Sequence, residues 1–298
     1  MNTFSMTRLR TLMLREWMQH RRAWFAVMLA LPLIVALLLP FGSVQVDSSA
    51  TPPLLAGAVM LASAAVTCGL SWSVMLLQLP GLARRDQQDR SIEFWLSLPA
   101  SHTESVAATL LMHVLALPLL ALGVGAVLGL PFGAGFVAKV FGAGSLSHVP
   151  WLSLMLADLA VLLRAALGLL LVSLWLAPLY LSAMAASAWL GRWGAPALVG
   201  VVLIGASVLR KLYDNNIVFE LLRHQLSAAV DASTLDPNAL GQIAQQMSGS
   251  WATDVASLAA QDALQSLAQA LSSPHFLLGL LLAAVAFALL VLQRSRAN

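Results

Sequence analysis

Residues 24–41 read WFAVMLALPLIVALLLPF, eighteen residues without a charged or strongly polar side chain. As a helix rising about 1.5 Å per residue, this stretch is about 27 Å long, close to the ~30 Å hydrocarbon thickness of a bilayer. In lipid every backbone amide must be satisfied within the segment, so a single apolar stretch of this length reads as a membrane-crossing helix. Pro32 lies inside it, and a mid-helix proline frees a carbonyl that a neighbouring helix has to cover. The same character extends over the chain. Its 298 residues are 59% hydrophobic and 10% charged, with mean hydropathy +0.83. Soluble domains carry about 45–50% apolar and about 25% charged residues. The balance excludes a soluble enzyme, a disordered chain and a free nucleic-acid binder, and leaves an all-α polytopic membrane protein. The single cysteine, Cys68, excludes an intrachain disulfide and a cysteine metal cluster, and reads as a small packing residue.

Downstream, residues 42–53 read as a short polar loop and Leu54–Leu79 as a second crossing that ends at Pro80 and Gly81. A charged stretch spans Arg84–Glu104, and Ser105–Leu130 is the third crossing. The Gly-rich residues 131–150 read as a loop. Trp151–Trp189 is longer than one crossing needs, and contains Asp158 and Arg164 in its first part. It divides into an interfacial helix over 151–164 and a fourth crossing over 165–188. A bent arrangement pairs Asp158 with Arg164, and a partner's arginine is the alternative. Residues 191–194 form a turn, and Ala195–Leu209 is a short fifth crossing. The polar residues 210–273 form an extracytoplasmic helical insertion, with helices expected over 216–230, 237–247 and 253–271. The sixth crossing is Pro274–Leu292.

Upstream of the quoted stretch, Arg8, Arg10, Arg15, Arg21 and Arg22 alternate with Leu9, Leu12, Met13, Trp17 and Trp24. Apolar residues at three- and four-residue spacing with arginines between them suit a helix lying in the membrane interface. Residues 1–23 are therefore expected to form an amphipathic elbow helix, with Arg15, Trp17, Arg21 and Arg22 as its working side chains. The following apolar run superficially suggests a signal peptide, but residues 41–53 offer no convincing small-residue cleavage site. With a cytoplasmic amino terminus and six crossings, Arg84, Arg85, Arg90, Arg192, Arg294 and Arg296 join the five amino-terminal arginines inside. That places 11 of the 16 basic residues and 5 of the 13 acidic ones on the cytoplasmic side, as the positive-inside rule favours.

The cytoplasmic segment 84–101 reads RRDQQDRSIEFWLSLPAS. Its charges precede Glu93, bulky apolar residues follow, and Pro99 stops or redirects the chain. The run Glu93, Phe94, Trp95, Leu96, Ser97, Leu98, Pro99 resembles the ABC-2 type permeases, the membrane subunits of ATP-binding cassette transporters, mostly exporters. The resemblance covers most of residues 8–209 and the last crossing, and fits 210–273 least well. It implies six crossings (residues 24–209 and 274–298), a basic elbow helix, both termini in the cytoplasm of a bacterial inner membrane, and a coupling helix over 84–99. By that analogy Arg84, Arg85, Asp89, Glu93, Phe94, Trp95 and Leu98 contact a separate soluble ATPase, two copies working with two membrane subunits, identical or homologous.

Energy must then come from outside this chain. A phosphate-binding loop needs Gly-Lys-Ser/Thr. The two lysines, Lys139 and Lys211, lie in Ala-Lys-Val and Arg-Lys-Leu. An ion-driven carrier usually needs ionisable groups at mid-membrane, and the expected crossings hold almost none. Thr67, Ser71, Ser73, Ser173, Ser182 and Ser187 read as packing residues. The tryptophans near crossing ends, Trp151, Trp189 and Trp193 above all, read as interface anchors. The six histidines are scattered, with no pair at a metal-ligand spacing, so no metal, cofactor or catalytic residue is expected. An intramembrane protease using Ser71 and His113 has nothing to specify that contact. A membrane scaffold whose residues 210–273 bind a periplasmic partner is the alternative to transport. The uncharged polar interior suits an amphipathic or lipid-like cargo.

Overall fold

No glycine or proline interrupts residues 6–31, and the first helix, α1, runs unbroken over Met6–Leu38. The computed structural model describes residues 6–46, 49–88, 101–233 and 251–296, with the backbone alone described for 85–88. The elbow expected over 1–23 and the first crossing are thus two halves of one helix. Its buried face is Leu9, Leu12, Glu16, Trp24, Met28 and Pro32, spaced to follow one side of a 3.6-residue repeat.

Two prolines expected to end helices lie inside them instead. Helix α2 spans Pro52–Gln88 and passes through Pro80. Helix α3, His102–Leu110, opens into a π-helical turn over Leu111–Ala116. Helix α4, Leu117–Phe141, continues from it and passes through Pro131. A proline costs a helix one hydrogen bond, but bundle neighbours can re-cover the freed carbonyl, so it is a weak stop signal in membrane chains. The loop expected over 131–150 shrinks to residues 142–150, opened by Gly142 at φ 87°. The Lys139 ammonium donates to the Pro40 carbonyl at 2.7 Å, tying the end of α4 to the end of α1.

Glycines of α4 serve helix packing. Gly125, Gly129 and Gly133 lie four residues apart on α4 and face the α2 backbone. A Cβ on Gly125 would stand 2.7 Å from Ala64 Cα, and one on Gly129 would stand 2.9 Å from Met60 Cα. Ser63 Oγ donates to the Gly125 carbonyl at 2.9 Å across the same seam. Small residues at this spacing let two helix backbones approach closely in the absence of a hydrophobic driving force.

Helix α5 is one continuous element, Trp151–Leu190, of 40 residues. At about 1.5 Å per residue it is about 60 Å long, twice a bilayer core. The interfacial helix and fourth crossing expected there are therefore halves of a single rod. Gly191, at φ 68°, turns the chain through a short 3₁₀ segment into α6, Gly194–Tyr213. Gly194 lies so close to the Ala186 carbonyl that no side chain fits. Helix α7, Ile217–Ser233, and α8, Trp251–Ser272, match two of the helices expected in the polar insertion. The third, over 237–247, lies outside the described residues. Helix α9, Pro274–Arg296, follows α8 after a single residue.

Helices α8 and α9 run along α5 from end to end. Trp251 packs near Leu154, Asp262 meets Arg164, Phe276 meets Trp175, and Ala286 and Leu290 pack with Leu181 and Ala188. Helix α7 lies beside the same rod, with Gln225 Nε2 donating to the Trp175 carbonyl. The polar insertion is thus the cover for the extra length of α5.

Arg164 holds this cover in place. Its Nε donates to Asp262 Oδ2 at 2.5 Å, its Nη1 to the Ala232 carbonyl at 3.1 Å and its Nη2 to Ser266 Oγ at 2.9 Å. The expected Asp158–Arg164 pair is replaced by this one because residues six apart in a straight helix do not share a face. Asp158 instead lines an apolar cavity of about 330 Å³ with Met60, Leu130 and Leu162, and its Oδ2 is buried without a hydrogen-bond partner.

Among the described residues five helical segments are long and apolar enough to cross a membrane, Met6–Leu38, Pro52–Arg84, His102–Phe141, Trp151–Tyr213 and Pro274–Arg296. The protein is an all-α, multi-pass membrane bundle.

Candidate functional site

A cluster of buried polar side chains lies where the first half of α1 meets α3. Leu9 and Leu12 on α1 form a small core with Ala108 on α3. One helical turn further on, Glu16 is fully buried, and its Oε1 accepts from Arg15 Nη2 at 2.5 Å and from Thr109 Oγ1 at 3.3 Å. A buried carboxylate costs several kcal/mol unless a cation and hydrogen bonds compensate it. Arg15, whose side chain is largely buried, supplies the cation, and Thr109 supplies a bond across to α3.

Next to this pair, three rings meet. His20 stacks on Trp24 with centroids 5.2 Å apart, and His113 meets both edge-on, 5.6 Å from His20 and 5.0 Å from Trp24. The π turn over Leu111–Ala116 carries His113 into this contact. Such turns insert one extra residue into a helix and are frequent at functional sites. His113 Nδ1 lies 2.9 Å from the Thr109 carbonyl, and His20 Nδ1 lies 3.2 Å from the Glu16 carbonyl. A carbonyl only accepts, so each ring donates through Nδ1–H. One ligating atom from each of Glu16, His20 and His113 lies within 4.8 Å of the others. The histidines expected to be scattered are, in this pair, brought together by a contact between residues 93 positions apart.

Helix α3 begins at a reciprocal cap. Ser101 Oγ accepts from the Glu104 amide at 3.1 Å, and Glu104 Oε2 accepts from the Ser101 amide at 2.9 Å. This reciprocal capping box fixes the first turn of α3. The same end of the bundle gathers the last turns of α2, where Leu79 packs with Ala188 and Leu290, and the last turn of α9. Arg296 there lies over the Trp189 ring at 5.5 Å, and Arg192 over Trp193 at 5.6 Å.

Of the residues expected to work here, Arg15 is the Glu16 partner and Trp17 packs against Trp24 and Phe25, with centroids 6.1 Å and 5.6 Å away. Arg21 and Arg22 are exposed. Arg84 is half-buried on the last turns of α2. Asp89, Glu93, Phe94, Trp95 and Leu98 lie outside the described residues, as does the side chain of Arg85. The sequence reading missed Glu16, Thr109 and the Ser101–Glu104 box. The box has a readable signature, Ser-x-x-Glu ahead of an apolar run. The i, i+4 placement of Glu16 and His20 was a second legible signal.

A second cavity, of about 250 Å³, lies between α1, α2 and α4 and is lined by Leu31, Pro32, Val59, Thr67, Phe132 and Phe136. Its walls are almost wholly apolar, so it suits hydrocarbon better than a hydrated solute.

No protein-family model, curated protein or solved structure matches the chain.

Proposed function

We propose that the chain is the membrane subunit of an ATP-driven transporter of the ABC-2 type, crossing a bacterial inner membrane six times with both termini in the cytoplasm. The observation that carries this reading is the Glu16–Thr109 contact beside the Leu9–Leu12–Ala108 core. It joins the basic first half of α1 directly to α3, the helix into which residues 84–99 lead. A push on that segment from a soluble partner reaches α1 and α3 together, and both continue into apolar segments. The six crossings are α1, α2, the α3–α4 rod, α5, α6 and α9, with the turn at Gly191 dividing the long apolar segment Trp151–Tyr213 in two.

In this reading Arg84, Arg85, Asp89, Glu93, Phe94, Trp95 and Leu98 form the surface that receives the ATPase. The charged residues register the contact, and the aromatic pair fills a groove on the partner, as buried aromatic anchors do in protein interfaces. Two such subunits and two ATPases make the working unit. Nucleotide binding shifts the bundle between inward- and outward-facing states, and hydrolysis in the partner resets it. The apolar cavity between α1, α2 and α4 favours an amphipathic or lipid-like cargo.

The test is a Glu93→Lys, Trp95→Ala double variant, purified in mild detergent with its associated proteins. The variant should reach the membrane at the wild-type level yet lose the copurifying ATPase and its cargo-stimulated turnover. Retained assembly with undiminished stimulated turnover would sink the coupling assignment.

A further inference from the structure

We propose that Glu16, His20 and His113 bind one divalent transition-metal ion of the zinc class. Two imidazole nitrogens and a carboxylate oxygen form a donor set that suits Zn²⁺ and its neighbours. One ligating atom of each side chain lies within 4.8 Å of the others. A tetrahedral ion with bonds of about 2.0–2.1 Å draws such atoms together to about 3.4 Å. Small side-chain rotations cover that difference.

The hydrogen bonding of both histidines suits a ligand role. Each donates Nδ1–H to a backbone carbonyl, Thr109 for His113 and Glu16 for His20. That bond selects the tautomer whose lone pair is on Nε2, and it fixes the ring plane, the usual arrangement behind a metal-bound histidine. His113 is placed by the π turn, and Glu16 and His113 are both fully buried. His20 is half-buried, so the ion reaches the site from its side.

Arg15 is the counter-cation when the ion is absent. It sits 2.5 Å from Glu16 Oε1, with 11% of its side chain exposed. An arriving ion takes over neutralisation of the carboxylate. Arg15 and the metal therefore compete, which distinguishes this site from a plain buried ion pair. Three protein ligands leave a fourth position for water. The bound ion would clamp α1 to α3. The assignment does not depend on the transport reading, and metal content is measured without any partner protein.

The experiment uses the full chain carrying a non-histidine affinity tag, in detergent micelles, stripped with a chelator and titrated with Co²⁺ and then Zn²⁺. Wild type should take up one equivalent of Co²⁺ with the intense visible absorption of a four-coordinate ion, and Zn²⁺ should bleach it. His20→Gln and His113→Gln should each weaken binding by roughly 100-fold or more, since losing even a group that only orients a ligand costs about 10–100-fold. Arg15→Gln should tighten it. The other close pair, His224 and His275, has ring centroids 4.5 Å apart, and His275→Gln should leave uptake unchanged. No stoichiometric uptake, a weak six-coordinate spectrum in wild type, or loss of uptake in His275→Gln would each overturn the assignment. The wild-type spectrum decides even where a variant fails to fold.

Discussion

Replacing Arg164 by alanine removes a guanidinium that joins three helices. The side chain is 1% exposed and Asp262 is 24% exposed. Hydrogen bonds to charged groups each contribute about 1.5–3 kcal/mol net. Removing one partner of a buried ion pair costs about 3–5 kcal/mol because the other charge is left behind. Here Asp262 retains a quarter of its exposure and water can reach it, so the low end applies, about 3 kcal/mol. The loss is local. Besides the Gln225–Trp175 bond and the Trp251 contact near Leu154, helices α7 and α8 lie on α5 through small side chains, Ala229, Ala232 and Ala270. About 3 kcal/mol corresponds to a roughly 100-fold rise in the population of the state in which they lift away. Hydrogen exchange read by mass spectrometry in lipid nanodiscs measures that population. Amides of α7 and α8 should exchange about 100-fold faster in Arg164→Ala, while those of α2 and α4 stay unchanged. Asp262→Asn, which keeps an acceptor, should show a smaller effect. Equal exchange in α7 and α8 of wild type and Arg164→Ala would refute the view that this side chain holds the cover on α5.

Gly129→Val places two methyl groups beyond a Cβ that already stands 2.9 Å from Met60 Cα, so α2 and α4 must separate. Overpacking of this kind costs about 1–3 kcal/mol, and the thermal midpoint in micelles should fall, whereas Gly123→Val, where a Cβ meets nothing within 4 Å, should leave it in place. Asp158→Leu removes a buried carboxyl oxygen that has no partner, and should raise stability by about 1–3 kcal/mol in the same assay. A fall there would reveal a stabilising role for the carboxyl. Ser101→Ala breaks the capping box and should cost about 1 kcal/mol, seen as faster exchange confined to the first turn of α3.

The apolar segments were legible because bilayer thickness imposes a length on them, and α7, α8 and α9 fall within a few residues of the expected helices. The misreadings share one cause. Pro80 and Pro131 stop helices in water, but inside a bundle neighbouring helices absorb their cost. Gly133 and Gly135, just past Pro131, were read as loop for the same reason. Glycine is a poor helix former in isolation, yet here it is the residue that lets α4 touch α2. The partners of Arg164 and Glu16 were beyond local reading altogether. Asp262 lies 98 positions from Arg164 and Thr109 lies 93 positions from Glu16, and only the fold brings them together. The 60 Å of α5 had a visible symptom, a stretch too long for one crossing. Its explanation required the helices of the polar insertion to be seen packed along it.

On the proposed function, a separate ATPase drives this bundle. The most direct test is quantitative mass spectrometry of the tagged chain, extracted from its native membrane in mild detergent with Mg-ATP and vanadate to hold the nucleotide-bound complex. A soluble protein bearing a Gly-Lys-Ser/Thr phosphate loop should be recovered at one copy per copy of this chain. Recovery of the intact chain with no nucleotide-binding protein above background would contradict that reading.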